Sequence, residues 1–156
     1  MENYNLSFRF EQGSFVYRVA AIIIKDNKLL VAKHKNSPFY YIVGGKVELN
    51  ETSEEAVIRE CFEETGIKFE VDRLIFVQER FFKLNEIKHH ELVFFYLMKN
   101  HFNFNILENS FSDQGEMETL HWLDIESLGK YPIIPEFIKT KQINGVLGIE
   151  HIISKE

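Results

Sequence analysis

Hydrophobic and polar positions follow two different periods along the chain, and these predict strands flanking one clear helix. Apolar, β-branched and aromatic residues dominate segments 15–24 and 28–33, which predicts two strands. Asp26 and Asn27 between them suit a tight turn, so we expect these strands to form a hairpin. Residues 40–43 add a short extended piece.

The period then becomes helical. Five residues recur at a spacing that places them on one arc of a helix: Val57, Ile58, Cys61, Phe62 and Thr65. At 100° per residue, we expect Glu60, Glu63 and Glu64 roughly on the opposite side. One face is therefore expected to be buried and the other to carry carboxylates.

Both ends of this helix carry recognisable signals. Thr52 followed by Glu55 three residues later is a capping box for its start. Gly66 stands where a C-cap glycine belongs. This segment is the best-determined helix of the sequence.

The second half of the chain again favours strands. Segments 70–82 and 89–98 are rich in aromatic and β-branched residues around a polar connection, which predicts a long hairpin. Residues 101–117 are interpreted mainly as a loop, and residues 119–123 as a last strand. Asp124 is expected to cap a short helix through Leu128, and Pro135 to open another. With no repeat or linker, residues 1–156 are expected to form a single domain of mixed α and β structure.

Composition and charge narrow the class of protein. A chain of 156 residues with 45% hydrophobic residues is long enough for one packed core. Residues 48–64 contain seven acidic residues and one basic residue, Arg59. This excess accounts for the whole formal net charge of −6. The balanced remainder offers no broad basic surface for duplex nucleic acid. Without a long apolar run, and with Cys61 as the lone cysteine, we expect a cytoplasmic protein that does not enter membranes.

The acidic helix face is the main candidate for chemistry. Glu60, Glu63 and Glu64 stand one turn apart, so their repulsion calls for compensation. Hard divalent cations such as Mg²⁺ bind such oxygen ligands. Alternatively, the face is only solvated surface with an ion pair between Glu55 and Arg59.

The flanking residues favour a site over a solvated surface. Gly44 and Gly45 let the backbone approach a ligand, and Glu51 lies in the loop leading into the helix. The stretch resembles the Nudix box, the signature of hydrolases acting on nucleoside diphosphates linked to another moiety. The matching positions are Gly45, Glu51, Arg59, Glu60, Cys61, Glu63, Glu64, Gly66 and Ile67, with Cys61 replacing the usual aliphatic residue.

The resemblance implies a fold and a set of ligands. The fold would be an α/β/α sandwich with a mixed β-sheet. Glu60 and Glu64 would be the main ligands of Mg²⁺ or Mn²⁺, joined by Glu63 and the Gly45 carbonyl, with Glu51 turned toward the same cluster. Arg59 would orient a carboxylate, either Glu51 or Glu63. Water would attack a phosphorus of a diphosphate.

The general base and the substrate contacts are less closely specified. In this family the base often comes from a glutamate outside the box, and Glu116 and Glu118 are the candidates, with Glu116 slightly preferred. Gly44 and Gly45 are expected to approach the substrate. Four aromatic residues are candidates for stacking on a base, although core packing is the commoner role: Tyr40, Tyr41, Phe81 and Phe82.

Several further features leave the substrate open. His89, His90 and Glu91 begin a strand and could reach a substrate, although structural roles are commoner. Val43 and Tyr41 occupy positions where many members of the family have proline and tryptophan. Nucleotide sugars such as ADP-ribose, dinucleotides and (deoxy)nucleoside triphosphates all carry the same linkage.

Two other functions and the assembly also stay open. A nucleotide-binding sensor without turnover would use the same fold. Diphosphate isomerisation would need a reactive cysteine, which Cys61 on the apolar face does not suit. The oligomeric state is undetermined, with a homodimer as the commonest case for soluble assemblies.

Overall fold

A computed structural model describes residues 4–100, 104–112 and 115–156, except for the side chains of Ser112 and Glu116. Its elements, in chain order, are β1 (Ser7–Phe10), β2 (Gly13–Ile22), β3 (Ile24–Lys25), β4 (Lys28–His34), β5 (Tyr40–Ile42), β6 (Gly44–Lys46), α1 (Ser53–Thr65), β7 (Val71–Leu84), β8 (Ile87–Met98), β9 (Ser110–Ser112), β10 (Gly115–Asp124), a 3₁₀ helix (Ile125–Lys130), β11 (Ile133–Ile134), a second 3₁₀ helix (Glu136–Lys139) and β12 (Glu150–Lys155). No helix in these ranges is both long and apolar enough to cross a bilayer.

The strands form two mixed sheets. One has the order β1-β2-β8-β7-β12, with β6 also paired to β2. The other has the order β11-β5-β4-β10-β9, with β3 also paired to β4. The parallel pairs are β2 with β8, β7 with β12 and β5 with β11. The predicted mixed fold is therefore confirmed.

Alternation along the strands fills two cores, one on each side of the sheets. In β2, Val19 and Ala21 pack into the core that contains α1, whereas Ala20 and Ile22 pack into the other. Such alternation follows from the two-residue period of a strand. The second core contains residues of both 3₁₀ helices, such as Leu128. The layer opposite α1 thus consists of 3₁₀ turns rather than the expected α-helices.

The first predicted hairpin is only partly correct. Asp26 and Asn27 form the turn with φ values of 52° and 60°. The strand that pairs with β4 across this turn, however, is the two-residue β3. The long β2 instead pairs in parallel with β8, from Gly13 opposite Lys88 to Ile22 opposite Leu97. Two long apolar strands bury more surface together than a short hairpin would, and this pairing is nonlocal.

The second predicted hairpin is confirmed and is longer than expected. Strands β7 and β8 pair antiparallel up to a two-residue turn at Asn85 and Glu86, whose φ values are 51° and 66°. The polar connection expected as a loop therefore continues both strands. Strand β10 likewise begins at Gly115, so the loop prediction for residues 115–117 is wrong. The strands that were not predicted are β1, β6, β9, β11 and β12.

Helix α1 begins and ends where its signals placed it. The capping box at Thr52 is complete, and Gly66 adopts φ 73°. The predicted buried arc needs correction, however, because Phe62 is 54% exposed whereas Glu64 is only 8% exposed. Glu64 follows Val57 by seven residues, almost two turns, and so it shares the face of Val57.

Candidate active site

Arg59 holds the carboxylates of the loop and helix together. Its Nε and Nη2 atoms donate to the two oxygens of Glu51 at 2.6 and 2.9 Å. Its Nη1 donates to Glu60 at 2.9 Å and to Glu63 at 3.3 Å. Nη2 also donates to the Lys46 carbonyl at 2.9 Å, tying the helix to β6. The contacts expected from Arg59 to Glu51 and Glu63 are therefore both present.

These contacts set the ionisation of Glu51 and oppose the surface-only interpretation. Burial raises the pKa of Glu51, but hydrogen bonds from Arg59 and from the Glu48 backbone outweigh it and lower the pKa overall. The expected ion pair between Glu55 and Arg59 is not the contact that forms. Glu55 instead accepts from the backbone and hydroxyl of Thr52 at 2.8 and 3.0 Å. Arg59 is thus directed inward, toward the cluster.

The adjacent glycines Gly44 and Gly45 are each required for a different structural reason. A Cβ at Gly45 would lie 2.2 to 2.3 Å from the carboxylate atoms of Glu60. A Cβ at Gly44 would lie 2.1 Å from the backbone oxygen of Val19. Gly45 therefore makes room for a carboxylate, whereas Gly44 permits close strand pairing. Burial, countered in part by Arg59, raises the pKa of Glu60.

Glu64 and Glu118 face one cavity of about 360 Å³, which we call the carboxylate cavity. Its lining consists of Arg18, Ala32, His34, Asn36, Ser37, Tyr41, Ile42, Gly44, Glu64 and Glu118. Glu64 Oε2 and Glu118 Oε1 are both buried without a hydrogen-bond partner. Burial, followed by the charges of Glu118 and Glu60, raises the pKa of Glu64 to about 9. Two carboxylates with free buried oxygens thus meet at one cavity.

This arrangement fits a divalent cation that retains water and phosphate ligands. Among the side chains that the structure describes, no group of three or more His, Cys, Asp or Glu residues is already placed around a metal position. Glu60 is instead held by Arg59, leaving Glu64 and Glu118 as the pair with unpartnered oxygens. Mg²⁺ is commonly bound by one or two carboxylates together with substrate phosphates. The donors are therefore suitable, although they do not form a complete cage.

The remaining predicted residues fall into distinct places. Tyr41 lines the carboxylate cavity, and Glu118 lies on strand β10 opposite His34 rather than in a loop. Glu116 also belongs to this strand, but its side chain lies outside the described part of the structure. Val43 is fully buried in the core that contains α1.

The aromatic and histidine candidates on β7 and β8 mostly contact each other. Phe81 stacks on His90 with ring centroids 4.3 Å apart, and Phe82 stacks on His89 at 4.8 Å. Neither Phe81 nor these histidines line the carboxylate cavity. The placement gives no support to Phe81 as a base-stacking residue.

Arg18 is the main site residue that sequence reasoning missed. It lies on β2 and lines the carboxylate cavity, and its charge partly opposes the burial that raises the pKa of Glu60 and Glu64. A single arginine in an apolar strand gives little warning of this role. The signal that could have found it is its polarity within the segment FVYRVAAIII.

Cys61 is a core residue. It is fully buried beside Val57 and Phe69 in the core that contains α1. Burial raises the pKa of its thiol, with smaller contributions from Glu64 and Glu60. A buried thiol with a raised pKa does not suit a cysteine-dependent reaction.

Comparison with known proteins agrees with this geometry. The chain is 52% identical over 60 residues to the ADP-ribose pyrophosphatase of Methanocaldococcus jannaschii, a match covering 36% of each chain. It is 42% identical over 57 residues to a MutT-like protein of Streptomyces ambofaciens, covering 36% of this chain and 37% of that one. The chain thus matches little more than a third of the length of these relatives.

Solved structures extend the likeness of fold over most of the chain. The MutT protein of Bacillus halodurans superposes with a TM-score of 0.66 at 19% identity, covering 87% of this chain and 89% of that one. The E. coli ORF135 protein gives a TM-score of 0.55 at 24% identity, covering 84% and 89%. The family model described as the NUDIX domain matches residues 15–141. The chain therefore belongs to the Nudix family.

Proposed function

We propose that this protein hydrolyses a diphosphate linkage in a nucleoside diphosphate derivative with Mg²⁺ or Mn²⁺. The single observation that carries the proposal is the meeting of Glu64 and Glu118 at one cavity, each with a buried oxygen that has no partner. A cation is the group that best compensates two such carboxylates. The name of the relative from Methanocaldococcus jannaschii makes ADP-ribose the first substrate to test.

One group of residues holds the cation, and another acts on the substrate. Glu64 is the principal ligand, with Glu60, Glu63 and the Gly45 carbonyl as further ligands. When bound, the cation neutralises charge on the diphosphate oxygens and lowers the pKa of water. Arg59 fixes the directions of Glu51 and Glu60 through its hydrogen bonds.

Arg18 and Glu118 act on the reacting groups from the walls of the same cavity. Arg18 lines the cavity and is placed to pair with a phosphate oxygen. Glu118 takes the proton of the attacking water, whose oxygen forms a new bond to phosphorus. The bridging P–O bond breaks, and the leaving phosphate oxygen keeps the electron pair. Glu118 is preferred over Glu116 because its side chain lines the carboxylate cavity.

A phosphorus NMR assay over a substrate panel tests the proposal. The panel contains ADP-ribose, other nucleotide sugars, dinucleotides and (deoxy)nucleoside triphosphates, each with Mg²⁺, Mn²⁺ or EDTA. We expect metal-dependent cleavage of at least one compound. Glu64→Gln should lower its rate by about 100-fold, corresponding to about 3 kcal/mol of transition-state stabilisation.

A matched substitution separates the site from general charge loss. Glu54 is an exposed residue in the first turn of the same helix, so Glu54→Gln should retain the wild-type rate. If no compound is cleaved with either metal, or if Glu64→Gln cleaves as fast as Glu54→Gln, the proposed hydrolysis is wrong. Tight nucleotide binding without cleavage would then favour a sensor.

A further inference from the structure

A second cavity of about 180 Å³ adjoins the carboxylate cavity, and we call it the distal cavity. The two share three lining residues: Arg18, Tyr41 and Ile42. The rest of the distal lining is Val19, Ala20, Gln78, Arg80, Glu91, Val93, Phe95, Ile134 and Pro135. A substrate whose diphosphate lies beside Glu64 can therefore extend past Arg18 into this second space.

Gln78 is the unexplained polar group of the distal cavity. It is only 1% exposed, and its Nε2 donates to the Ser154 hydroxyl at 3.0 Å. Its Oε1 is buried with no hydrogen-bond partner. A buried amide oxygen without a donor is uncommon in folded proteins. Such an acceptor at a cavity wall points to a ligand that brings an N–H or amino group.

The sheet register connects Gln78 to the carboxylate cavity. Arg18 on β2 lies opposite Val93 on β8, and Val93 lies opposite Gln78 on β7. All three line the distal cavity. Directly opposed residues share a face of the sheet, so Arg18 and Gln78 lie two strand spacings apart, about 10 Å. This row of opposed residues runs from Arg18, which also lines the carboxylate cavity, to the acceptor oxygen of Gln78.

Strand β12 fixes the far wall of this cavity. It pairs in parallel with β7, placing Ile152 opposite Gln78 and Ser154 opposite Arg80. Arg80 Nε donates to Glu156 at 2.6 Å, and its guanidinium lies 4.2 Å from the centre of the Phe82 ring. Gln78 and Arg80 are thus both held by partners in residues 150–156. These partners lie outside the segment matched by the family model.

The chemistry of the walls favours a nucleobase over a sugar. Val93, Phe95 and Pro135 present apolar or aromatic surface beside the buried, unpartnered oxygen of Gln78. The charged wall residues Arg80 and Glu91 pair with each other at 3.4 Å. A heteroaromatic ring has apolar faces and polar edges, which this distribution matches. A sugar carries hydroxyl groups around its whole rim and would leave several without partners.

We propose that the distal cavity binds the base of a nucleoside diphosphate substrate through Gln78, and that Ser154 is a positioning residue for Gln78. The assignment rests on the proposed function, which places the diphosphate in the carboxylate cavity. Ser154 fixes the amide by accepting its N–H, so that Oε1 is presented to the N–H or amino group of the base. Strand β12 therefore contributes to substrate selection without contacting the substrate.

Binding of nucleoside monophosphates tests this assignment independently of catalysis. Calorimetry without metal would compare AMP, GMP, CMP, UMP, purine riboside 5′-monophosphate and ribose 5-phosphate. We expect the best of the four natural nucleotides to bind at least about tenfold more tightly than purine riboside 5′-monophosphate, whose base has no N–H or amino donor. Gln78→Leu should remove that difference. Gln142→Leu, at an exposed position, should preserve it.

Two variants of Ser154 distinguish positioning from simple packing. Ser154→Ala should reduce the preference because the Gln78 amide loses its fixed orientation, whereas Ser154→Thr keeps the hydroxyl and should restore it. Ser154→Ala also keeps the test decisive if Gln78→Leu fails to fold. Equal binding of all probes by the wild type, tighter binding of ribose 5-phosphate, or an unchanged preference in Gln78→Leu would each overturn the base assignment.

The same measurements separate this inference from the hydrolysis itself. If the best substrate of the panel and its analogue whose base lacks N–H and amino donors are hydrolysed with equal efficiency, the base assignment fails while the proposed reaction stands. If binding shows the expected preference but no compound on the panel is cleaved, the proposed reaction fails while the assignment stands.

Discussion

The two cavities that share Arg18 are built in opposite ways. The carboxylate cavity takes most of its lining from residues 32–64, including Gly44 and Glu64, and adds only Arg18 from β2 and Glu118 from β10. The distal cavity gathers residues from β2, β5, β7, β8 and β11, and β12 holds its wall. The reactive end is thus mostly local in sequence, whereas the selective end depends on long-range strand pairing.

The largest expected effect comes from removing the Arg59 guanidinium, which holds three carboxylates of the loop and helix together. Arg59→Met leaves Glu51, Glu60 and Glu63 without their shared partner, so the free energy of unfolding should fall by about 2 kcal/mol or more. Arg59→Lys should lie between this variant and the wild type because it keeps charge but loses the bidentate contact. Urea denaturation measures the difference.

The exposed Arg9 on β1 provides the control for Arg59. Arg9→Met should change the unfolding free energy by less than about 0.5 kcal/mol. AMP binding in the distal cavity should survive Arg59→Met if the two cavities are built independently. Equal destabilisation by the two arginine substitutions would show that Arg59 does not organise the carboxylates.

The adjacent glycines should separate stability from function. Gly44→Ala drives a Cβ against the Val19 backbone oxygen, which cannot easily move, so we expect a loss of about 1–3 kcal/mol of stability. Gly45→Ala instead meets the end of the Glu60 side chain, which can rotate away. It should keep most of the stability while losing metal affinity and activity. Thermal unfolding and Mn²⁺ titration of both variants check this, and the reverse pattern would contradict it.

The smallest expected effect is a gain in stability when Glu64 is replaced by glutamine. In metal-free protein the pKa of Glu64 is raised to about 9, so the fold favours its protonated form. This contribution is complete below the ordinary pKa of about 4.5 and is lost as the pH rises toward about 9. Glu64→Gln should therefore raise the unfolding free energy by about 1–2 kcal/mol at pH 8 and by much less at pH 5.

Added metal should make the wild type more stable than Glu64→Gln, the reverse of the order expected in metal-free protein at pH 8. Mg²⁺ stabilises only a protein that binds it in the folded state, so it should raise the melting temperature of the wild type more than that of Glu64→Gln. Glu63, whose side chain is 41% exposed, serves as the matched control for the metal-free pH effect only, because it is itself a proposed ligand. Glu63→Gln should show little of the gain at pH 8 in metal-free protein. A destabilised Glu64→Gln at pH 8 would indicate that Glu64 is not an uncompensated buried charge.

Local signals explain what the sequence could predict. The capping box at Thr52, Gly66 and the spacing of Val57 and Cys61 act within a few residues, so the bounds of α1 followed directly. The turn at Asp26 and Asn27 depends on residues that tolerate positive φ, and the structure confirms it. The metal and catalytic roles within the box stay predictions.

Nonlocal pairing explains what the sequence could not predict. The pairing of β2 with β8 is separated by about seventy residues and competes with an obvious local hairpin. Strand β1 was missed because all four of its residues are exposed, so no buried alternation marks it. Gln78 lies in the middle of a long aromatic strand. Its role depends on the contact of its amide nitrogen with Ser154 of β12 and on its unpartnered oxygen, and neither can be read from the sequence.

Mn²⁺ binding to matched glutamine variants tests the central claim most directly, because that claim places a cation in the cavity that the buried carboxylates of Glu64 and Glu118 both line. Electron paramagnetic resonance would titrate Mn²⁺ into the wild type, Glu64→Gln, Glu118→Gln and Glu54→Gln at one pH. We predict that Glu64→Gln and Glu118→Gln lose at least about tenfold in affinity, or about 1.4 kcal/mol, while Glu54→Gln binds like the wild type. Equal Mn²⁺ affinity in all four proteins would contradict the account.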